Sequence, residues 1–467
     1  MSWIFMPRDI DQLRRDALAI WKAGVAGVSA DRLMRDAVQV DDHWLVIDDE
    51  PLDLNEFERI CVVGAGKAGA GMAAALEEIL GPQLLAAKNV TGWVNVPADC
   101  VRPLARIHLH AARPAGVNEP TTEGIAGTES ILKLVGSLTS RDLCIALISG
   151  GGSALLPAPT AGITLEDKQH VTTVLSAAGA NIAELNLVRR HLSRVKGGGL
   201  ARACTAARMI SLIISDVIGN PLDVIASGPT VEAEPAPHLA LEVLGRFDAQ
   251  SAGVSQSVFD ALDRQVARIQ NAPPCNVQNI IIGNNAMAVD AAGVQAEKLG
   301  YSHAMIAATE LEGPVEAIGR QLANMALSMR DGTGSDCLIS GGEGTVRLAV
   351  PSQRGLGGRN QQLVLAALDT LSHHNPERIV LMSGGTDGED GPTDAAGAIL
   401  DPHTLSRAAA LKLNPADYLR RNDAYHFFEA VDGLVKTGPT HTNVCDLRVV
   451  VVDQVKNSCT TGSASAN

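Results

Sequence analysis

Aromatic side chains are scarce in this chain. Four Trp, three Tyr and six Phe make up only 3% of 467 residues, so the 46% hydrophobic content must come from Ala, Val, Leu and Ile. With 45 glycines, that composition suits close helix–sheet packing in an α/β protein better than a β sandwich. The eight cysteines are scattered, with no Cys-x-x-Cys and no close Cys/His set of zinc spacing. They read as reduced, mostly packing thiols of a cytoplasmic protein. No window approaches a membrane span, and residues 3–6, followed by Pro7-Arg8-Asp9, are too short for a signal-peptide core. Positive charge is also in deficit. A net charge of -14 argues against nucleic acid and anionic membrane surfaces as partners. Anionic small molecules stay open, because N–H nests and a few placed cations reverse the field inside a cleft.

At this length two or three domains with ample core are expected. Helical periodicity over residues 9–40 breaks near 24–29, with Ser29 a candidate N-cap. Strands are predicted over 43–47, 59–63, 90–96, 143–148 and 209–214. Helices are predicted over 71–80 and 121–135, and a long helical region over 165–195. Residues 106–117 read as a loop. Arg189, Arg190, His191, Arg194 and Lys196 crowd the end of the long helical region, where they complement its dipole. From 231 to 272 the chain turns Pro-punctuated and helical, which places the domain boundary there. Strand–helix alternation resumes with strands over 280–282, 303–307 and 446–452. Alternation on both sides of the linker predicts two parallel or mixed α/β sheets. The expected domains are 8–250 and 276–455, with a disordered tail over 456–467.

Chemistry concentrates where apolar runs end in glycine. Leu381-Met382-Ser383-Gly384-Gly385 opens into Asp387, Glu389, Asp390 and Asp394. Residues 147–153 (Leu-Ile-Ser-Gly-Gly-Gly-Ser) and 338–344 (Leu-Ile-Ser-Gly-Gly-Glu-Gly) repeat the same grammar. Three Ser-Gly-Gly strand ends suggest loops meeting at a shared cleft, with glycine N–H groups for an anion and carboxylates for a cation. Gly64-Ala65-Gly66-Lys67-Ala68-Gly69 fits G-x-G-x-x-G between a strand and a helix, but the acidic residue that should close the next strand comes late, as Asp99 after Pro97. An anion site using Lys67, a dinucleotide site and a plain tight turn all remain open. Gly150, Gly151 and Gly152 can cradle a phosphate, with Ser149 and Ser153 beside them. Lys196 before three glycines is either a second basic nest or a solvated lysine at a helix end. Glu343 and Arg359 follow glycine-rich segments, and Arg359 leads a helix, from which a guanidinium can fork onto a phosphoryl group. Asp387 suits either an Mg²⁺ ligand or a general base. Asp390 and Asp394 read as caps, and His108, His110, His373 and His374 as loop or surface histidines.

Taken in order, GAGKA (64–68), ISGGGSALL (148–156), VKGGGLA (195–201), ISDVIGNPLDVIASGPT (214–230), SGGE (340–343), GGRNQ (357–361), SGGTDGEDGPTDAAGA (383–398) and TGPTHTN (437–443) resemble the glycerate 2-kinases of the MOFRL type. The resemblance covers nearly the whole chain. It implies ATP-dependent phosphorylation of D-glycerate on its 2-hydroxyl to 2-phospho-D-glycerate, with Mg²⁺ or another divalent cation. It also implies an N-terminal Rossmann-like parallel sheet with helices on both faces, a smaller C-terminal α/β domain and an active site in the interdomain cleft. Carried over residue by residue, Lys67, Arg359 and Asp387 are the expected catalytic groups. Gly66, Ser149, Gly150, Gly151, Gly152, Ser153, Lys196, Glu343 and Asn443 are the expected binding groups, and Asp387 and Asp216 the expected metal ligands. The partners are then glycerate and ATP, with a homodimer left open. Asn220, Gln362 and His441 depart from the family pattern of Asp, Glu and Gly. Such proteins are often labelled hydroxypyruvate reductases, so an NAD(P)-dependent reductase using the Gly64 turn is the rival enzyme. A non-catalytic sensor of a phosphorylated acid is the rival binding protein.

Overall fold

The computed structural model describes residues 8–117, 119–234, 236–266 and 275–454; the tail expected over 456–467 lies outside them. Contacts divide the chain into two units, one of residues 28–284 with 441–444, the other taking the rest.

In the first unit the apolar runs that precede glycine form a six-stranded parallel sheet. Its spatial order is Ile107–Arg113, Thr91–Pro97, Arg59–Ala65, Asp142–Ile148, Arg208–Ile214, Asn276–Gly283. Numbered along the chain this is 3-2-1-4-5-6, the doubly wound Rossmann order. Strand Asp142–Ile148 is buried at every position, as a strand covered on both faces must be. Cys61, Val63, Ala65, Cys144, Ala146 and Ile148 pack on one face with Ile131 and Val135 of helix Thr122–Val135. Helix Gly69–Ala87 packs on the same strands. A three-stranded antiparallel sheet (Val38–Asp41, Trp44–Ile47, Glu50–Asp53) precedes the first parallel strand. Ser29 takes the N-cap position of helix Ala30–Ala37, but its side chain makes no capping bond.

Three local expectations change. Residues 106–117 contain the edge strand Ile107–Arg113, whose alternation of apolar residues with His108 and His110 is the pattern of a half-exposed strand. These histidines therefore lie on a strand, not in a loop, and His108 stacks on Trp93 at 4.1 Å. The single helical region over 165–195 is two helices, Leu165–Ala177 and Ile182–His191, because Asn181 caps the second with Glu184 in a reciprocal box. Lys196 consequently falls beyond the helix end. Strand Asn276–Gly283, grouped with the second domain by sequence, pairs in parallel with Arg208–Ile214.

The second unit has a mixed sheet in the order His303–Ala307, Cys337–Gly342, Asp446–Val452, Ile379–Gly385, Gly397–Leu400, Leu434–Val435. The first pair is parallel and the rest antiparallel. The last long strand of the chain is thus inserted between the two strands that carry Ser-Gly-Gly. Helix Ile10–Gly27, assigned by alternation to the first domain, packs instead in this unit, against helix Asn285–Lys298 and strand Asp446–Val452. Its periodicity marks a buried face (Leu13, Ala17, Ile20, Trp21) but says nothing of which sheet receives it. Trp21 decides the docking. Its indole N–H donates to the Gly384 carbonyl at 3.3 Å, and Arg14 pairs with buried Asp401 at 2.5 Å. Among the described residues no helix is long and apolar enough to cross a membrane.

Trp21 is 1% exposed, so Trp21→Ala should cost about 3–5 kcal/mol of unfolding free energy in urea titration. A loss below about 1 kcal/mol would show that this helix is not part of the second unit's core.

Candidate active site

Strand order in the parallel sheet reverses between Arg59–Ala65 and Asp142–Ile148, and Ala65 stands opposite Ile148. Ligands of open α/β sheets bind outside the carboxyl ends of strands at such a switch point. Both glycine corners leave the sheet there and are stitched together. Lys67 N–H donates to the Gly150 carbonyl at 2.9 Å, and Ser149 Oγ accepts from Ala68 N–H at 3.0 Å. Gly66 has φ +149, and a Cβ there would lie 1.9 Å from Ser149 Oγ; only glycine permits this approach. Gly151 N–H donates to Asp216 Oδ2 at 3.2 Å. A Cβ on Gly150 would meet Asp216 Oδ2 at 2.7 Å and Asn443 Nδ2 at 2.9 Å. The structure therefore gathers Gly66, Lys67, Ser149, Gly150, Gly151, Asp216 and Asn443. It adds buried Arg113, whose guanidinium would be 3.2 Å from a Cβ on Gly151. Arg113 was hidden from sequence reading inside the supposed loop.

Gly152 and Ser153 begin the short helix Gly152–Leu155. Ser153 Oγ accepts from Lys196 Nζ at 2.6 Å, and Ser227 Oγ lies 3.3 Å from the same ammonium and 3.0 Å from Ser153 Oγ. Lys196 is 5% exposed, which rules out the solvated-lysine alternative. Burial, then Arg189 and Lys168, holds its pKa well below the usual lysine range. Ser227 was read only as part of a turn. Its φ of +65, after Ala226 at +49, is a strained backbone of the kind that persists where surroundings impose it.

In the second unit the inserted strand begins at Asp446, paired with Gly342 on one side and Gly385 on the other. Two of the three Ser-Gly-Gly ends thus flank one buried carboxylate that the motifs did not reveal. Asp446 Oδ2 accepts from Arg359 Nε at 2.7 Å and its Oδ1 from Asn360 Nδ2 at 2.9 Å, while Glu343 Oε1 accepts from Arg359 Nη1 at 2.6 Å. Burial opposes the charge on Arg359, but Asp446 and Glu343 outweigh it and raise its pKa. Among the described residues no acceptor bonds Arg359 Nη2, and that nitrogen is suited to a ligand oxygen. Asp390 is a cap, though of a distant helix. Its carboxylate accepts from Asn360 N–H at 3.0 Å and Gln361 N–H at 2.8 Å, in the first turn of Arg359–Leu371. A Cβ on Gly358 would overlap that carboxyl group. Asp387 follows the third corner, half-buried, with Oδ1 accepting from Glu389 N–H at 3.1 Å and its carbonyl from Thr440 N–H at 3.0 Å.

Residues 16–263 match the family described as domain of unknown function (DUF4147), and residues 336–446 match the MOFRL family. A Rattus norvegicus protein named glycerate kinase is 38% identical over 452 residues, spanning 84% of each chain. A Thermotoga maritima protein named D-glycerate 2-kinase is 34% identical over 450 residues, 95% of this chain and 99% of its own. The crystal structure of Thermotoga maritima glycerate kinase matches with a TM-score of 0.79 at 33% identity, covering 95% of this chain and 100% of that one. The chain belongs to the glycerate kinase family.

Departures from the expected family pattern now have physical settings. Gln362 donates to Glu316 Oε1 at 3.1 Å and to the Leu419 carbonyl at 2.9 Å, so it ties helices together in this glycerate kinase relative, and a second carboxylate there would face Glu316. Asn220 has φ +55, which asparagine tolerates in a turn. His441 has φ +58 and places Nδ1 3.3 Å from Cys100 Sγ. With Asp99 these form the grouping of three ligand-type side chains, all within 4.8 Å of one another, found among the described residues.

Burial pushes the Asp390 carboxyl up to about 7 against an ordinary 3.8, the two helix N–H bonds opposing. A carboxyl that keeps its proton longer in the fold stabilises fully below its unfolded pKa and loses that contribution as pH rises towards 7. Asp390→Asn should therefore flatten the fall of urea-measured stability between about pH 4 and 7. Parallel pH profiles for the two proteins would contradict the buried, protonated state.

Proposed function

We propose that the protein transfers the γ-phosphoryl group of ATP to the 2-hydroxyl of D-glycerate, giving 2-phospho-D-glycerate and ADP. What carries the reading is the pair of stitched glycine corners at the sheet's switch point, with Lys67 on one and the Gly150 N–H on the other. That is a pre-formed anion site in a chain of net charge -14. Membership of the glycerate kinase family supplies the substrate class.

Phosphoryl transfer asks the protein for alignment and charge neutralisation, with little covalent chemistry. In this reading the Gly150 N–H donates to a phosphate oxygen, and Lys67 neutralises the moving group, while the Gly152 N–H closes the turn on the Ser149 carbonyl at 3.1 Å. Gly151 N–H is occupied by Asp216, which sets the loop's shape. Arg359, clamped through Nε and Nη1, offers its remaining nitrogen in a fixed orientation to a phosphoryl or carboxylate oxygen. Fixing the guanidinium beforehand removes an entropy cost from the reaction step. A divalent cation is held by few carboxylates and keeps several waters, and single, half-buried Asp387 fits that habit. Asp216 is the second proposed ligand. The cation would supply charge neutralisation on the phosphates.

The test is incubation with D-glycerate and MgATP and identification of the product by phosphorus NMR. A 2-phosphate is expected; 3-phosphoglycerate, or NADH oxidation with hydroxypyruvate and no phosphorylation, would overturn the reading. Lys67→Ala and Arg359→Ala should each lower kcat by about 10²–10³. Near-wild-type turnover in both would remove their assigned roles.

A further inference from the structure

Three cations of the first unit line one cavity and no carboxylate answers them. Lys168 on helix Leu165–Ala177, Arg189 on helix Ile182–His191 and Lys196 beyond its end share a space of about 440 Å³ with Ser153 and Thr172. Among the described residues none of the three forms an ion pair, and the carboxylate on the cavity wall, Glu119, is exposed. Burial, with a smaller contribution from their like charges, disfavours the protonated forms. Burial and then Arg189 push Lys168 down to about 8, burial lowers Arg189, and burial with both neighbours lowers Lys196. Helical geometry that holds like charges together without compensation is costly unless a ligand of opposite charge completes it.

We propose that this cavity holds the polyphosphate of the donor nucleotide, so that the N-terminal unit carries the nucleotide. The inference rests on the kinase reading above and names where its donor binds. Charge selects the occupant: a hydroxy acid with one carboxylate leaves two cations unanswered, whereas a di- or triphosphate matches all three. Size agrees, since a cavity of about 440 Å³ is of the order that small-molecule sites occupy. Hydroxyls of Ser153 and Thr172 suit phosphate oxygens, and Pro157 and Leu192 add an apolar wall for a ribose and base. Ser153 belongs to the same loop as Gly150 and Gly151, so a polyphosphate contacting it would continue towards the Lys67 corner.

The experiment is calorimetric titration of the full chain with MgADP, alongside steady-state kinetics, for wild type, Lys168→Ala and Arg189→Gln. Each variant is expected to bind MgADP about 10-fold or more weakly and to raise KM for ATP similarly, with KM for glycerate changed less than about 2-fold. Thermal unfolding reports whether the variants are folded, and Thr172→Val, which keeps every charge, serves if either is not; its expected effect is a smaller loss of MgADP affinity. Folded variants with wild-type MgADP affinity would overturn the assignment, as would a rise confined to KM for glycerate. A wild type that binds MgADP through these cations yet phosphorylates no glycerate would uphold the pocket and sink the kinase reading.

Discussion

The contact between Gly66 and Ser149 constrains everything built on the first sheet. With 1.9 Å separating a would-be Cβ from the serine hydroxyl, no other residue type leaves the two corners closed on each other. Closing them joins Lys67 N–H to the Gly150 carbonyl and sets Ser149 Oγ beneath Ala68 N–H. Its cost is the conformational freedom of the glycines and the burial of several peptide groups, which the sheet and the serine repay with hydrogen bonds. In the proposed reaction anion affinity draws on backbone geometry as well as side-chain charge, which is how an acidic protein would take an anionic substrate.

The second unit solves a different problem, holding an arginine charged and still. Arg359 would lose its charge preference to burial alone. Asp446 and Glu343 restore it, at the cost of burying the Asp446 carboxylate, whose hydrogen bonds to Arg359 and Asn360 offset part of the penalty, while Glu343 stays half-buried. Such arrangements are weak sources of stability and strong sources of orientation. A lysine at 359 could keep one contact but not the two-sided clamp, because the ammonium lacks a planar fork.

Much of this was legible because glycine after an apolar run marks a strand end, whatever lies around it. The three Ser-Gly-Gly corners, Lys67 and Arg359 were found on that ground. What stayed hidden is non-local. Asp446 matters because its strand is inserted between two others, and strand order is not written in any short window. Arg189 read as a helix-end cation and Lys168 drew no reading, because only the break at Asn181 turns one helix into two that line a common cavity. Arg113 was lost with an edge strand whose histidines blurred the alternation. Helix Ile10–Gly27 carried a clear apolar stripe, yet only Trp21 meeting Gly384 assigns it to a sheet formed hundreds of residues later.

Lys196 shows why the chemistry of a site cannot be inferred from residue type alone. Had a carboxylate faced it, the lysine would be a permanently charged strut. Two serine hydroxyls face it instead, and hydroxyls accept a hydrogen bond without supplying charge, so burial dominates and the proton is held loosely. Such a lysine gives up its proton more readily than a solvated one, and an arriving anion opposes that loss. Ligand binding and protonation at this position are then coupled, each favouring the other by the same free energy. A pocket built this way is tolerably stable while empty and attractive to a polyanion, a balance that three fully solvated cations or three salt-bridged ones would not achieve.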